Sequence, residues 1–234
     1  MATTRKSKKT TATDFITPYL QYALEVKKHD RNVYKFCKHF KLEEADFYKQ
    51  YGSLHMLERA IWDHLMTAAI KTVAKDESYS AFSDQEKLLS LFYTFFESLT
   101  MNRSYVTNNL RENMDVRDRM TLLKPMKNTF RKFVDECFED SPFTNQSGGI
   151  ERLNDVRRRG LEEGFWTQLM FLIEFWRKDD SPGFEKTDIA IEKSVRAAMD
   201  LIVATPVRSL VDFGRFIWKK GLPEDENSGN NPNQ

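Results

Sequence analysis

Cysteine is nearly missing. Cys37 and Cys137 are the only two in 234 residues, too few for the disulfide framework of a small secreted domain and in keeping with a reduced, cytoplasmic setting. Glycine is scarce too, nine in all against 18 phenylalanines and nine methionines, a balance that favours helices over sheet. Neither sign of charge is in excess. Lys and Arg number 36 and Asp and Glu 35, for a formal net charge of +1, so any attraction to a polyanion has to be local. The greasiest stretch, Phe165 to Trp176, is too short and too polar to span a bilayer, and no apolar run follows the basic N-terminal residues as a secretory signal requires.

The motifs of chemistry are missing as well. There is no Gly-rich phosphate loop, no zinc-type cysteine pair and no nucleophile elbow. His29, His39, His55 and His64 contain no i, i+4 pair, so nothing in their spacing resembles a metal site. Carboxylates alternate with Lys and Arg as they do on solvated helix faces. The sequence therefore points to no cofactor, no metal and no enzyme.

What is present is organised around Arg31 to Trp62. Val33, Phe36, Cys37 and Phe40 fall at helical spacing, a turn begins at Leu42, and Glu43 to Tyr51 makes a second short helix. Ser53 is a natural N-cap for a longer helix carrying Leu57, Ile61 and Leu65. Short helix, turn, short helix, long helix is the outline of a helix-turn-helix reader of DNA. Before it, Asp14 to Lys28 predicts a first helix, with Pro18 tolerable in its first turn. Residues 1–13 hold Arg5, Lys6, Lys8 and Lys9 and read either as a disordered tail or as an arm along the DNA backbone.

The segment Phe47-Tyr48-Lys49-Gln50-Tyr51-Gly52-Ser53, with Leu57 beyond it, resembles the recognition helix and following helix start of the TetR family of bacterial regulators. The resemblance covers roughly residues 14–66. It implies an all-α chain: a helix-turn-helix head at 14–52, a connecting helix at 53–76, and a ligand-binding and dimerisation bundle at 77–221. A polar tail at 222–234 would follow. It further implies a homodimer, with Tyr48, Lys49 and Gln50 facing DNA and Lys38 and Ser53 in support. Lys35 and Lys41 are equally at hand for phosphates or for solvent. Four departures stand out, one of them the turn before the second helix, usually built on Gly and here His29-Asp30. Asp46 occupies the place of a phosphate-contacting Thr, Glu43 that of a Ser, and Leu54 that of a Lys. Together with Glu44, these acids oppose the counterion release that dominates protein–DNA affinity.

Beyond residue 77 the chain alternates helices and breaks. Ser83 and Glu86 make a capping-box pattern. Further helices are expected from Asp115 to Glu139 with a kink at Pro125, from Ile150 to Lys178, from Thr187 to Ala204 and from Val207 to Lys219. Met101 to Glu112 reads as a short helix or a break, and residues 140–149 as a loop. The aromatic residues of this body read as ordinary core or as the lining of an apolar ligand cavity, and the resemblance implies the cavity. The candidate lining is Phe92, Phe95, Phe96, Phe130, Phe133, Phe165, Trp166 and Met170. A second stretch, with Asp180-Ser181-Pro182, Phe184-Glu185 and Thr187, is similar to the TetR-like lipid-binding accessory protein of ubiquinone biosynthesis. That similarity implies an alternative: a lipid or isoprenoid binder on the same fold, without a DNA function.

Overall fold

The computed structural model describes residues 13–111, 114–139 and 151–204. The basic arm up to residue 12, the loop at 140–149, the helix expected at 207–219 and the tail lie outside the described residues. Among those described there are nine α-helices, three single 3-10 turns and no strand. They run α1 (Thr13–Glu25), α2 (Val33–Phe40), α3 (Glu44–Gln50), α4 (Leu54–Val73), α5 (Asp84–Met101), α6 (Arg103–Asn109), α7 (Val116–Cys137), α8 (Glu151–Lys178) and α9 (Glu185–Ala204).

The first helix is shorter than its periodicity suggests. It ends at Glu25, and Lys28–Asp30 forms a 3-10 turn that delivers the chain to α2. It also begins early enough to place Pro18 past the first turn, where the missing N–H removes one hydrogen bond of the helical ladder. Within Met101 to Glu112, which reads as helix or break, lies a helix, α6. Pro125 lies within α7, which continues through it without a break. Ser83 and Glu86 form the complete capping box: the Ser83 hydroxyl accepts from the Glu86 amide at 3.3 Å, and the Glu86 carboxylate accepts from the Ser83 amide at 2.8 Å.

α1, α2 and α3 close on an aromatic centre. Phe15 meets Phe47 edge-on at 5.5 Å, and Phe36 contacts Tyr19, Tyr22 and Phe47. Such rings bring large buried area with few rotatable bonds, which lets helices of eight and seven residues hold together although neither would be stable alone. α4 leaves this head and packs against α5 and α7 in the body. Its Trp62 is fully buried and donates from Nε1 to the Asn109 side-chain oxygen at 2.8 Å. The core is continuous, from Phe15 in the head to Val195 in α9.

The turn from α8 to α9 is a clasp. One oxygen of the buried Asp179 carboxylate accepts from the Ser181 amide and hydroxyl at 2.9 and 2.6 Å, and the other from the Thr187 amide and hydroxyl at 2.9 and 2.6 Å. Arg103 enters from α6, its guanidinium between the rings of Trp176 and Phe184 at 4.6 and 4.5 Å. It donates to the carbonyls of Trp176, Arg177 and Asp179, satisfying the orphan acceptors at the end of α8. The motif that carried the lipid-protein similarity thus has a structural account: it builds this corner.

Candidate nucleic-acid interface

The outward face of the head follows from one inward residue. Phe47 is completely buried and touches Phe15, Phe36 and Tyr51. At 100° per residue, anchoring Phe47 turns its successors out: Tyr48 is 54% exposed and Lys49 is exposed beside it, while Gln50 is half-buried. Asn32 caps α2 by accepting from the Lys35 amide at 2.8 Å, and the Ser53 hydroxyl caps α4 by accepting from the Met56 amide at 3.2 Å. Ser53 therefore has a role inside the chain before any partner is considered. Lys38 is exposed on α2, its ammonium 5.5 Å from the centre of the Tyr34 ring. His55 and Met56 open the exposed side of α4.

The electrostatics of this face are mixed. Lys49 donates to the Asp46 carboxylate at 2.7 Å, one turn back on the same helix. Glu44 and Asp46 lie in the first turn of α3, where negative charge stabilises a helix by opposing its dipole. The same charges offset the positive helix end that a phosphate would meet. Their field reaches inward too: burial, then Glu44 and Glu43, push the Cys37 thiol up to about 11. That keeps the thiol protonated and inert.

The turn between α2 and α3 holds a detail the sequence did not disclose. Lys41 adopts the left-handed conformation, φ 54° and ψ 41°, and closes α2 through its amide to Cys37 and Lys38. A side chain is strained there, and glycine is favoured.

The head is joined to the body by polar contacts that spacing alone could not reveal. The Tyr19 hydroxyl donates to the buried Glu58 carboxylate at 2.7 Å, and the Asn108 amide of α6 donates to the Ala23 carbonyl of α1 at 3.2 Å. Within the head itself, Arg31 donates to the carbonyls of Ala23 and Val26 at 2.5 and 2.7 Å. Burial, with Glu58 beside it, drives the Tyr19 hydroxyl far above the usual tyrosine range.

In the body, the candidate ligand residues divide. Phe92 stacks on Phe130 at 6.0 Å, and Phe130 continues to the half-buried Trp166 at 6.2 Å. Phe95 and Phe96 contact one another, Phe96 runs on to Trp176, and Phe165 pairs with Phe138. Phe133 is buried and Met170 half-buried against the same core. Phe138 and Trp176 belong to these contacts and do not stand out in the sequence; each is one aromatic residue among many, a signal shared by every core position. A cleft of about 400 Å³ lies elsewhere, between α1 and the join of α5 to α6. Among the described residues no group of three His, Cys, Asp or Glu side chains is placed to hold a metal ion, and no helix is long and apolar enough to cross a membrane.

Comparison with known proteins places the body. No curated protein matches the chain. Residues 87–217 match the family model described as the tetracyclin repressor-like C-terminal domain. That stretch runs from within α5 through α9 and takes in more than half of the chain. With a helical head joined through one long helix to a helical body of that description, the chain belongs to the TetR family of regulators.

Proposed function

We propose that this TetR-family chain is a ligand-responsive transcriptional regulator. Its head, residues 14–52, reads DNA through Tyr48, Lys49 and Gln50, with Lys38, Ser53 and the basic arm of residues 1–13 adding backbone contacts. Residues 53–76 connect this head to a body, 77–221, that senses a small apolar molecule and pairs with a second copy. The observation that carries the reading is the outward display of Tyr48 and Lys49 by the anchored Phe47, on the second helix of a helix-turn-helix outline. A gel-shift titration with the chain's own upstream region tests it. Binding should weaken steeply between about 50 and 200 mM salt on the scale of phosphate contacts, and Tyr48→Ala should lower the affinity about tenfold. A wild-type chain that shifts neither specific nor random duplex sinks the reading.

One observation favours a second reading, in which the fold carries an apolar ligand and has no DNA function. Asp46 already neutralises Lys49, the cation of α3 that faces outward. On that reading the purified chain shifts no DNA and carries an apolar molecule that mass spectrometry detects.

A further inference from the structure

The cleft between α1 and the α5–α6 join differs from the aromatic body in both lining and position. Its wall on the head side is α1 and its wall on the body side is residues 100–105. Each wall presents a large apolar side chain to solvent: Leu24 is 51% exposed and Met101 is 74% exposed. Leu20, partly buried, continues the apolar strip from α1. Around it stand uncharged polar groups, Thr17 and Gln21 on α1 and Ser104 on α6.

The cleft offers no free charge among the described residues. Among the described residues no carboxylate lines it. The cation in its wall is Arg103, and that guanidinium is held between two rings and bonded to three carbonyls. Tyr105 forms part of the wall, is almost completely buried, and has no hydrogen-bond partner for its hydroxyl among the described residues. That hydroxyl is turned toward Glu58 and Tyr19 and away from solvent, so Tyr105 offers the cleft ring surface and no hydrogen bond. The volume falls at the small end of ligand pockets.

We propose that this cleft binds an uncharged, amphipathic small molecule, its apolar part against Leu20, Leu24 and Met101 and its hydrogen-bonding groups toward Thr17, Gln21 and Ser104. The occupant touches a helix of the head and a helix of the body at once. Its α1 wall, Thr17 to Leu24, is the segment that also carries Tyr19, bonded to Glu58 of α4, and Ala23, bonded to Asn108 of α6. Its effect on DNA binding rests on the regulator reading; its binding does not.

The test uses the full chain with Met101→Cys, and Met120→Cys as the control. Met120 is exposed on α7 and outside the cleft, and the native Cys37 and Cys137 are buried. Both variants are exposed to a library of disulfide-capped, uncharged aromatic and lactone fragments under mild reductant, and captured adducts are read by intact mass. Melting curves confirm that each variant is folded. The expected result is a subset of fragments held at least about tenfold more by the Met101→Cys chain than by the Met120→Cys chain. Leu24→Ser in the Met101→Cys background should cut that capture several-fold. Equal capture by the two variants, or capture indifferent to Leu24→Ser, overturns the site. A gel shift with the wild-type chain separates the two ideas: selective capture without any DNA shift leaves the cleft standing and removes the regulator.

Discussion

Lys41 and Asp46 show what single residues contribute beyond their type. Lys41 closes α2 in the left-handed region, which costs a residue with a Cβ roughly 1 kcal/mol or more. Lys41→Gly should therefore raise stability by roughly 0.5–1 kcal/mol, part of the relief being offset by glycine's freedom in the unfolded chain. Urea unfolding reads this directly, and a destabilised Lys41→Gly would mean that the turn is not strained. Asp46 acts through Lys49, to which it is bonded at 2.7 Å. Replacing Asp46 with Thr and Glu43 with Ser removes two negative charges and releases the lysine. Non-specific DNA affinity should rise about tenfold at low salt, with a salt slope steeper by about one. No change would place α3 away from DNA. The strain could not be read from residue types, being a backbone angle; the pairing sits at the i,i+3 spacing of helical neighbours.

At the scale of elements, caps were legible and corners were not. Ser53 and the Ser83–Glu86 box announce their helices because the bonds are local, three residues apart. The α8–α9 corner depends on residues 76 positions apart, Arg103 and Asp179, and so no window of sequence contains it. Burial pushes the Asp179 carboxyl up, but the hydrogen bonds from Ser181 and Thr187 outweigh it and hold the group well below the usual carboxylate range. A group whose folded pKa is depressed stabilises fully above its unfolded value, near about 4, and loses that contribution as pH falls toward the folded one. Asp179→Asn should accordingly cost about 2–3 kcal/mol at neutral pH, and the gap to wild type should shrink as pH is lowered from about 4 toward about 2. Urea titrations of both chains at several pH values check this; a gap that stays constant refutes it.

At the scale of the whole molecule, α8 and α9 carry large apolar side chains that the described residues leave exposed. Phe171 of α8 is 57% exposed and lies against Phe175, and Val156, Ile189 and Leu201 are exposed on the same two helices. Gly160 and Gly164 are exposed on α8 as well, and a Cβ added to either would meet nothing, so no packing among the described residues calls for them. A second copy laid along α8 and α9 would bury these residues, as the family implies for a homodimer. Phe171→Glu should convert a dimer to a monomer in light scattering at micromolar concentration while leaving the melting temperature of the body little changed, because Phe171 is not a core residue. A wild-type monomer, or a dimer untouched by Phe171→Glu, rejects that face as the interface.

By itself the sequence determined most of the helices, the Ser53 and Ser83 caps and the family. Those follow from repeats of three or four residues and from one short motif, information held within a few turns of chain. Only the tertiary structure decided that Asp179 and Arg103 lock one corner and that Tyr19 meets Glu58. The cleft beneath Leu24 and Met101 belongs to the same class. The reason is physical: which partner a charge finds, and where a space is left, depend on side chains that arrive from distant parts of the chain, and no local period encodes their meeting.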